Sequence, residues 1–137
     1  MLETELHRSP FHRFLDFTIV HAAAGNAELH LPLRPDFLRM DGSDWIHGGV
    51  IASLIDIAAN FAASSLVDHA IPTVDLRVDY MRPSRGALTA RGKMRRAGRS
   101  LAFVDVEIED STGRITAVGR AVFALAVSDR PSEKEKQ

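Results

Sequence analysis

The sequence predicts an α+β domain in which an antiparallel sheet wraps one long central helix. The segment from Gly48 to about Val67 lacks proline and is apolar on nearly every side, which indicates a buried helix. The run from Thr73 to Tyr80 alternates polar and apolar residues, and short turns separate the strand candidates that follow it. Strands joined in this way pair antiparallel, and a helix of ~20 residues matches their length at ~30 Å. The apolar helix must therefore be covered by the sheet.

The first half of the chain predicts one short helix and a hairpin. The helix is expected over about Thr4 to Phe14, interrupted near Pro10. Two β-like runs follow, at Phe17 to Ala24 and Ala27 to Leu33, and Gly25-Asn26 between them suits a two-residue hairpin loop.

The second half of the chain is predicted to contain an irregular connection, then the helix, and then four strands. Proline, glycine and three aspartates make the segment from Arg34 to Ile46 irregular. Turn-like residues at Ala97-Gly98 and at 110–113 separate the later strands. We expect one domain over residues 1–127 and a charged, disordered tail over 128–137. The expected strands are Thr73 to Tyr80, Ala87 to Arg96, Ser100 to Glu109 and Arg114 to Val127.

Composition excludes several classes of function. A net charge of -1 over 137 residues argues against a general nucleic-acid binder. The absence of cysteine excludes a disulfide framework, a thiolate metal site and a cysteine nucleophile. Asp56 and Asn60 lie in the middle of the helix, where both would be costly in lipid, so we expect no membrane insertion. The acidic N-terminal segment has no long apolar run and does not read as a signal peptide, which favours the cytoplasm.

Polar residues of the helix form one narrow stripe. Ser53, Asp56, Asn60 and Ser64 are spaced by three, four and four residues, and Asp56 is the only charged side chain between Gly48 and Val67. A carboxylate on a buried helix is costly unless it is paired or solvated. Asp56 is therefore either a capped or ion-paired structural residue, or a general base or nucleophile that faces a pocket.

The start of the helix is a second candidate element. His47-Gly48-Gly49 places glycines where backbone N–H groups have no partner within the helix, and such groups stabilise an oxyanion. Taken alone, a glycine pair before a helix more often marks a tight turn. Gly48 and Asp56 are about 12 Å apart along the helix axis, so one carbonyl carbon cannot contact both. If both act, they come from two subunits whose helices run antiparallel across a dyad.

Two other groups of residues have a plainer interpretation. His21 and His30 would face each other across the hairpin if Ala24 paired with Ala27, but a zinc site needs a third ligand and none is apparent. We therefore expect ordinary histidines, no metal and no cofactor. A run of basic residues lies in the later hairpin, at Arg91, Lys93, Arg95, Arg96 and Arg99. Such a run is typical of a solvated strand face, and the alternative is a rim that binds phosphate.

Three motifs occur in the order found in a known family. The first is His47-Gly48-Gly49 with an aspartate nine residues after the histidine, at Asp56. The second is Thr73-Val74-Asp75 followed by Tyr80-Met81-Arg82-Pro83, and the third is Gly98-Arg99-Ser100-Leu101-Ala102. On these motifs the chain resembles the hotdog-fold acyl-CoA thioesterases of the phenylacetyl-CoA (PaaI-like) branch, over nearly all of its length except the tail. The resemblance implies the hotdog fold.

The resemblance also implies a role for each matching position. Asp56 would activate water or attack the thioester carbonyl directly. The Gly48 N–H would bind the carbonyl oxygen, His47 would shape the helix entrance, and the Thr73 hydroxyl would hold the water. In the family the flanking segments contact the nucleotide and pantetheine, which assigns to substrate binding Arg82, Arg85, Gly98, Arg99 and Ser100.

The chain departs from the family at Asp41. The family often has Asn or Gln about six residues before the histidine, and an amide can donate a hydrogen bond to a carbonyl oxygen where an ionised carboxylate cannot. We place Asp41 with the substrate-binding residues and leave its role open.

The expected function is hydrolysis of an acyl- or aryl-CoA thioester to free acid and CoA by a homodimer or homotetramer. A hotdog hydratase would pair an Asp with a His five residues on, or a His with a distant Glu, and Asp41, Asp44 and His47 fit neither spacing. A non-catalytic acyl-CoA-binding module is the other alternative. Steady acyl-CoA binding without release of CoA would identify it.

Overall fold

One long helix lies against one face of a six-stranded antiparallel sheet. The computed structural model describes residues 9–67, 69 and 71–125. The helices are α1 (Pro10–Leu15) and α2 (Gly48–Ser64), with a 3-10 turn at Pro35–Phe37. The strands are β1 (Thr18–Ala23), β2 (Asn26–Leu31), β3 (Thr73–Tyr80), β4 (Leu88–Ala97), β5 (Leu101–Glu109) and β6 (Ile115–Ala124). The predicted α+β class, with an antiparallel sheet around one helix, is confirmed, and the predicted tail over 128–137 lies outside the described residues.

The strand order places β3 at one edge of the sheet. The order is β1-β2-β4-β5-β6-β3, so β3 pairs with β6 and has no neighbour on its other side among the described residues. Tyr80 pairs with Ala117, and Thr73 pairs with Phe123 at the far end of β3. Successive residues rise by ~3.3 Å, so the two ends of β3 are about 23 Å apart. This separation decides which site residues share one end of the sheet.

Small residues let α2 approach the sheet closely. A Cβ on Gly92 of β4 would stand 3.0 Å from the Ala58 carbonyl oxygen of the helix, and a Cβ on Gly119 of β6 would stand 2.7 Å from Ile55. Ala58 and Ile55 are both fully buried. The apolar sides of the helix therefore pack into the sheet, and the polar stripe is left half-buried at one side.

Helix α2 is shorter than predicted, and the predicted first helix can be compared only from Ser9 on, because residues 1–8 lie outside the described residues. Pro10 begins α1, where its missing N–H is not needed, and Ser9 caps the helix through the His12 N–H. Helix α2 ends at Ser64, short of Val67. The Ser65 hydroxyl there donates to the Ala62 carbonyl and accepts the Gly25 N–H, which closes the helix against the first hairpin.

The predicted Gly25-Asn26 loop is wrong by one residue. Ala23 pairs with Asn26, so the loop is Ala24-Gly25, and both of these residues have positive φ, 53° and 80°. A two-residue turn of this kind requires left-handed backbone at both positions and accepts glycine readily at the second. The shift places His21 opposite Glu28, so the two histidines expected to face each other do not.

The two edge strands are irregular to different degrees. A bulge between Ile19 and His21 interrupts β1 near its middle. The irregularity in β3 lies between Thr73 and Asp75, at its start, and leaves regular pairing from Asp75 to Tyr80. Among the described residues, no helix has the length and apolar character needed to cross a membrane.

Candidate active site

The start of α2 is capped by His47 and leaves one backbone amide without an acceptor. His47 is the N-cap, and its Nδ1 accepts the Gly49 N–H at 2.9 Å. The His47 carbonyl accepts the N–H groups of Val50 and Ile51. Within the part of the chain that the structure describes, the Gly48 N–H has no acceptor, so it is the one amide of this first turn open to a ligand.

Asp56 and Thr73 are joined by a hydrogen bond. Asp56 lies half-buried in the middle of α2, and its Oδ1 accepts the Thr73 hydroxyl at 2.7 Å. Thr73 is the first residue of the edge strand β3 and is exposed. No Arg, Lys or His of the described ranges forms an ion pair with Asp56, so the ion-paired structural interpretation finds no partner there.

The other members of the polar stripe are satisfied within the fold. Ser53 donates to the Gly49 carbonyl, and Asn60 donates to the Ile71 carbonyl on the way to β3. Ser64 donates to the Asn60 side-chain oxygen. Asp56 is therefore the stripe residue whose second carboxylate oxygen has no partner among the described residues.

The predicted substrate-binding residues divide between two ends of the sheet. Arg82 and Arg85 follow the Tyr80 end of β3. Gly98, Arg99 and Ser100 precede β5, whose Leu101 pairs with Ala124 of β6. The end of β6 lies beside the start of β3, so this second group lies at the Thr73 end. One subunit thus holds its two groups at opposite ends of a strand about 23 Å long.

Arg85 is already engaged by the protein. Its Nε donates to Asp44 at 2.8 Å, and its guanidinium lies 5.6 Å from the centre of the Trp45 ring. Its backbone N–H donates to the Asp110 carboxylate. These contacts hold Arg85 against the loop before α2 and make it a structural anchor as well as a candidate for substrate binding.

Asp110 organises the turn that receives Arg85. Burial, the largest influence, raises the pKa of Asp110. Hydrogen bonds from the Thr112 hydroxyl and from the N–H groups of Arg85, Thr112 and Arg114 outweigh it, so the pKa lies below its ordinary value. The carboxylate stays ionised at neutral pH and acts as an acceptor for the turn.

Asp41 lies in an exposed loop away from α2. It lines a cavity of about 360 Å³ together with neighbours from Arg39 to Trp45. Its carboxylate has no hydrogen bond or ion pair to any residue of the described ranges. The structure leaves it free to meet a ligand but does not join it to Asp56.

The basic run of the later hairpin falls into two parts. Arg95 donates to Asp105, and Arg91 donates to Glu28 and Glu109, on the sheet face opposite the helix. With Lys93 they line a cavity of about 850 Å³ on this outer face. The solvated-face interpretation is therefore favoured for this part. Arg96 and Arg99 are exposed at the hairpin end and form no ion pair within the described residues.

Tyr80 is a site residue that the sequence reasoning did not assign. Its hydroxyl donates to the Gly48 carbonyl at 2.8 Å and ties the end of β3 to the start of α2. It is the only tyrosine of the chain and lies in the motif Tyr80-Met81-Arg82-Pro83, which was the available signal. Within the described ranges, no group of three His, Asp or Glu side chains is arranged to hold a metal ion.

Comparison with known proteins places this chain in one family. The model of the Thioesterase superfamily matches residues 45–117, just over half of the chain. The medium/long-chain acyl-CoA thioesterase YigI of Escherichia coli is 31% identical over 139 residues, covering 90% of each chain. The phenylacetic acid degradation protein PaaI of Thermus thermophilus is 26% identical with a TM-score of 0.74, covering 85% of this chain and 98% of that one. The E. coli PaaI protein has a TM-score of 0.83 at 22% identity, covering 93% and 91%, and supports the hotdog fold alone.

The fold and these similarities thus define a hotdog-fold thioesterase. The chain belongs to the thioesterase superfamily, and its fold is similar to that of PaaI. The family and fold predicted from the three motifs are confirmed.

Proposed function

We propose that the protein hydrolyses acyl-CoA thioesters, with Asp56 as the catalytic carboxylate. The observation that carries the proposal is the pairing of Asp56 with the Thr73 hydroxyl, without an ion pair from the described residues. An ionised carboxylate held in this way can accept a proton or attack a carbonyl carbon. Similarity to YigI favours medium- and long-chain acyl groups as the first substrates to test, with aryl groups as the comparison.

The proposed reaction uses one group at the start of α2 and one in its middle. Asp56 takes a proton from water held by Thr73, and the resulting hydroxide attacks the thioester carbonyl. The Gly48 N–H donates to the developing oxyanion. The C–S bond then breaks, and CoA leaves as a thiol after taking up a proton. If Asp56 attacks directly, an acyl-enzyme anhydride forms first and water then hydrolyses it.

Gly48 and Asp56 of one subunit are too far apart to act on one carbonyl group, and a site shared between two subunits removes this difficulty. Gly48 and Asp56 are about 12 Å apart on one helix. Two subunits that pair along the free edge of β3, antiparallel across a dyad, bring the Tyr80 end of one strand beside the Thr73 end of the other. Gly48 of one subunit then approaches Asp56 of its partner. The edge strand and the residue that follows it also expose large apolar side chains, with Val74, Tyr80 and Met81 each at least 50% exposed.

The same pairing would reunite the two groups of substrate-binding residues. Arg82 lies at the Tyr80 end of one subunit and Arg99 at the Thr73 end of the other. Both are exposed, and neither forms an ion pair within the described residues. Arginine at these two positions suits the phosphate groups of CoA, because its guanidinium group can donate hydrogen bonds to two oxygens at once. A homotetramer and a cytoplasmic location stay predictions.

The test of the proposal is the exchange of Asp56 for asparagine. We expect Asp56→Asn to lower kcat by at least about 100-fold, because loss of a general base has this size of effect. Release of free thiol from short, medium, long and aryl acyl-CoAs measures it. The matched control is Asp36→Asn, the same chemical change at an exposed carboxylate in the 3-10 turn, which should leave turnover unchanged.

Two outcomes would contradict the proposal. An Asp56→Asn enzyme that keeps more than about a tenth of wild-type kcat places the base elsewhere. A wild-type protein that binds acyl-CoA steadily and releases no CoA is a binding module.

A further inference from the structure

The peptide group between Gly48 and Gly49 is held at both of its polar atoms. Its carbonyl oxygen accepts the Tyr80 hydroxyl at 2.8 Å. Its N–H donates to His47 Nδ1 at 2.9 Å. One side chain comes from the end of the edge strand β3 and the other from the helix cap. The first peptide of the helix is therefore fixed by two elements of the fold.

The glycine pair makes room for this arrangement. A Cβ on Gly49 would stand 3.1 Å from His47 Nδ1, closer than such contacts normally are, so the imidazole would have to shift by a few tenths of an ångström beside any other residue. A Cβ on Gly48 would stand 3.4 Å from the Tyr80 ring. Two adjacent glycines also give the backbone more conformational freedom than other residues. The amide next to them keeps a fixed direction only if other groups hold it.

We infer that Tyr80 is a positioning residue that aims the Gly48 N–H at the oxyanion; the inference rests on the proposed function. Tyr80 donates to the carbonyl of Gly48 itself, so it restrains the residue whose N–H is the open amide of the first turn. An oxyanion donor stabilises a transition state only when it is oriented in advance. The Tyr80 hydroxyl supplies that orientation from the strand edge.

A purely structural role for the hydroxyl predicts a different pattern. In a single subunit Tyr80 is 53% exposed, and a water molecule can replace its hydroxyl as the donor to the Gly48 carbonyl. Packing of the ring over Gly48 does not need the hydroxyl. A structural role would therefore change stability or substrate binding, whereas a positioning role changes kcat at constant KM.

The test removes the hydroxyl and then returns it in a modified ring. We expect Tyr80→Phe to lower kcat for an acyl-CoA about tenfold while KM stays within about twofold. We also expect the carbonyl ¹³C resonance of Gly48 and the amide resonance of Gly49 to shift in the ligand-free protein. Because Tyr80 is the only tyrosine, growth on 3-fluorotyrosine changes this ring alone and keeps the hydroxyl. That protein should retain wild-type kcat within about twofold.

The outcomes separate this inference from the proposed function. An active wild type whose Tyr80→Phe variant keeps full kcat overturns the inference and leaves the proposed function standing, whether or not the glycine resonances move. A raised KM at unchanged kcat also overturns it, since the hydroxyl would then serve binding. A wild type that hydrolyses no acyl-CoA overturns both.

Discussion

Asp105 is the residue at which charge most clearly supports the fold. Arg120 donates to both of its carboxylate oxygens, at 2.6 and 3.0 Å, and Arg95 adds a third hydrogen bond. The hydrogen bond from Arg120 is the largest influence on the pKa of Asp105, and with that from Arg95 it outweighs burial, so the pKa lies below its ordinary value. The cluster joins β4, β5 and β6 on the outer face of the sheet.

The pH dependence of stability should report this cluster. A carboxyl with a lowered folded pKa stabilises the protein above its unfolded pKa of about 3.9, and it loses that contribution as the pH falls through the lower folded value. Asp105→Asn should therefore lower the free energy of unfolding at pH 7 by up to about 1 kcal/mol, the usual range for exposed pairs. Urea unfolding at pH 7 and at pH 3 measures it. The difference from wild type should shrink at pH 3, and a constant difference would assign the loss to packing.

Candidate residues could be singled out from the sequence where their chemistry differs from that of their neighbours. Asp56 was identified because it is the one charged residue on an apolar helix. Thr73 was identified because it belongs to a motif that the chain shares with a known family. The contact from Tyr80 to Gly48 spans 32 residues and joins a strand end to a helix start. Neither periodicity nor spacing encodes such a contact, because it depends on how the strand order brings the two elements together.

At the scale of elements, the hairpin of β4 and β5 carries arginines of two kinds. Arg91 lies on the outer sheet face and is paired with Glu28 and Glu109. Arg99 lies in the exposed turn between the two strands and forms no ion pair within the described ranges. The hairpin thus offers one arginine to solvent or ligand and keeps the other within the fold.

Arg99→Ala should weaken binding of the nucleotide part of the substrate. We expect KM for acyl-CoA to rise about fivefold with kcat nearly unchanged, because only uniform binding is lost. Hydrolysis of an acyl-pantetheine, which lacks the nucleotide, should not change. Arg91→Ala is the matched control and should leave both substrates unaffected. Equal loss of kcat on both substrates in Arg99→Ala would make Arg99 structural or catalytic.

Element types were predictable, but the register of the first hairpin was not. Apolar all-round and alternating patterns identify the helix and the strands directly. The loop at Ala24-Gly25 requires a left-handed alanine, which composition does not favour, so Gly25-Asn26 was the natural choice. The bond from the Gly25 N–H to Ser65 fixes the true register, and it links residues 40 positions apart.

At the scale of the whole molecule, the proposed site belongs to a pair of subunits. Gly48→Pro tests the Gly48 N–H as the oxyanion donor with little change to the backbone. Proline is tolerated at the first position of a helix, and the preceding His47 already has the extended backbone that proline requires, with φ -61° and ψ 134°. The variant removes the N–H and should lower kcat about 100-fold or more, whereas Gly48→Ala keeps the N–H and serves as control.

Two inactive variants should restore each other if the site is shared. A heterodimer of Asp56→Asn and Gly48→Pro subunits has one site with both groups intact and one with neither, so about half of wild-type activity should return. Co-expression with two different tags and tandem purification isolates it. A purified heterodimer that stays inactive would contradict the shared site, because each site would then lack one of the two groups. An active monomer in light scattering would contradict it as well.

The bulge in β1 limits how many copies of the chain could join one continuous sheet. A dimer joined at β3 leaves a β1 strand at each outer edge of the combined sheet. An interruption near the middle of that strand removes the continuous row of N–H and C=O groups on which another chain could be added. Growth of the proposed dimer by strand addition would therefore stop at two copies, and the β1 edge, which takes no part in the proposed chemistry, would protect the protein from forming filaments.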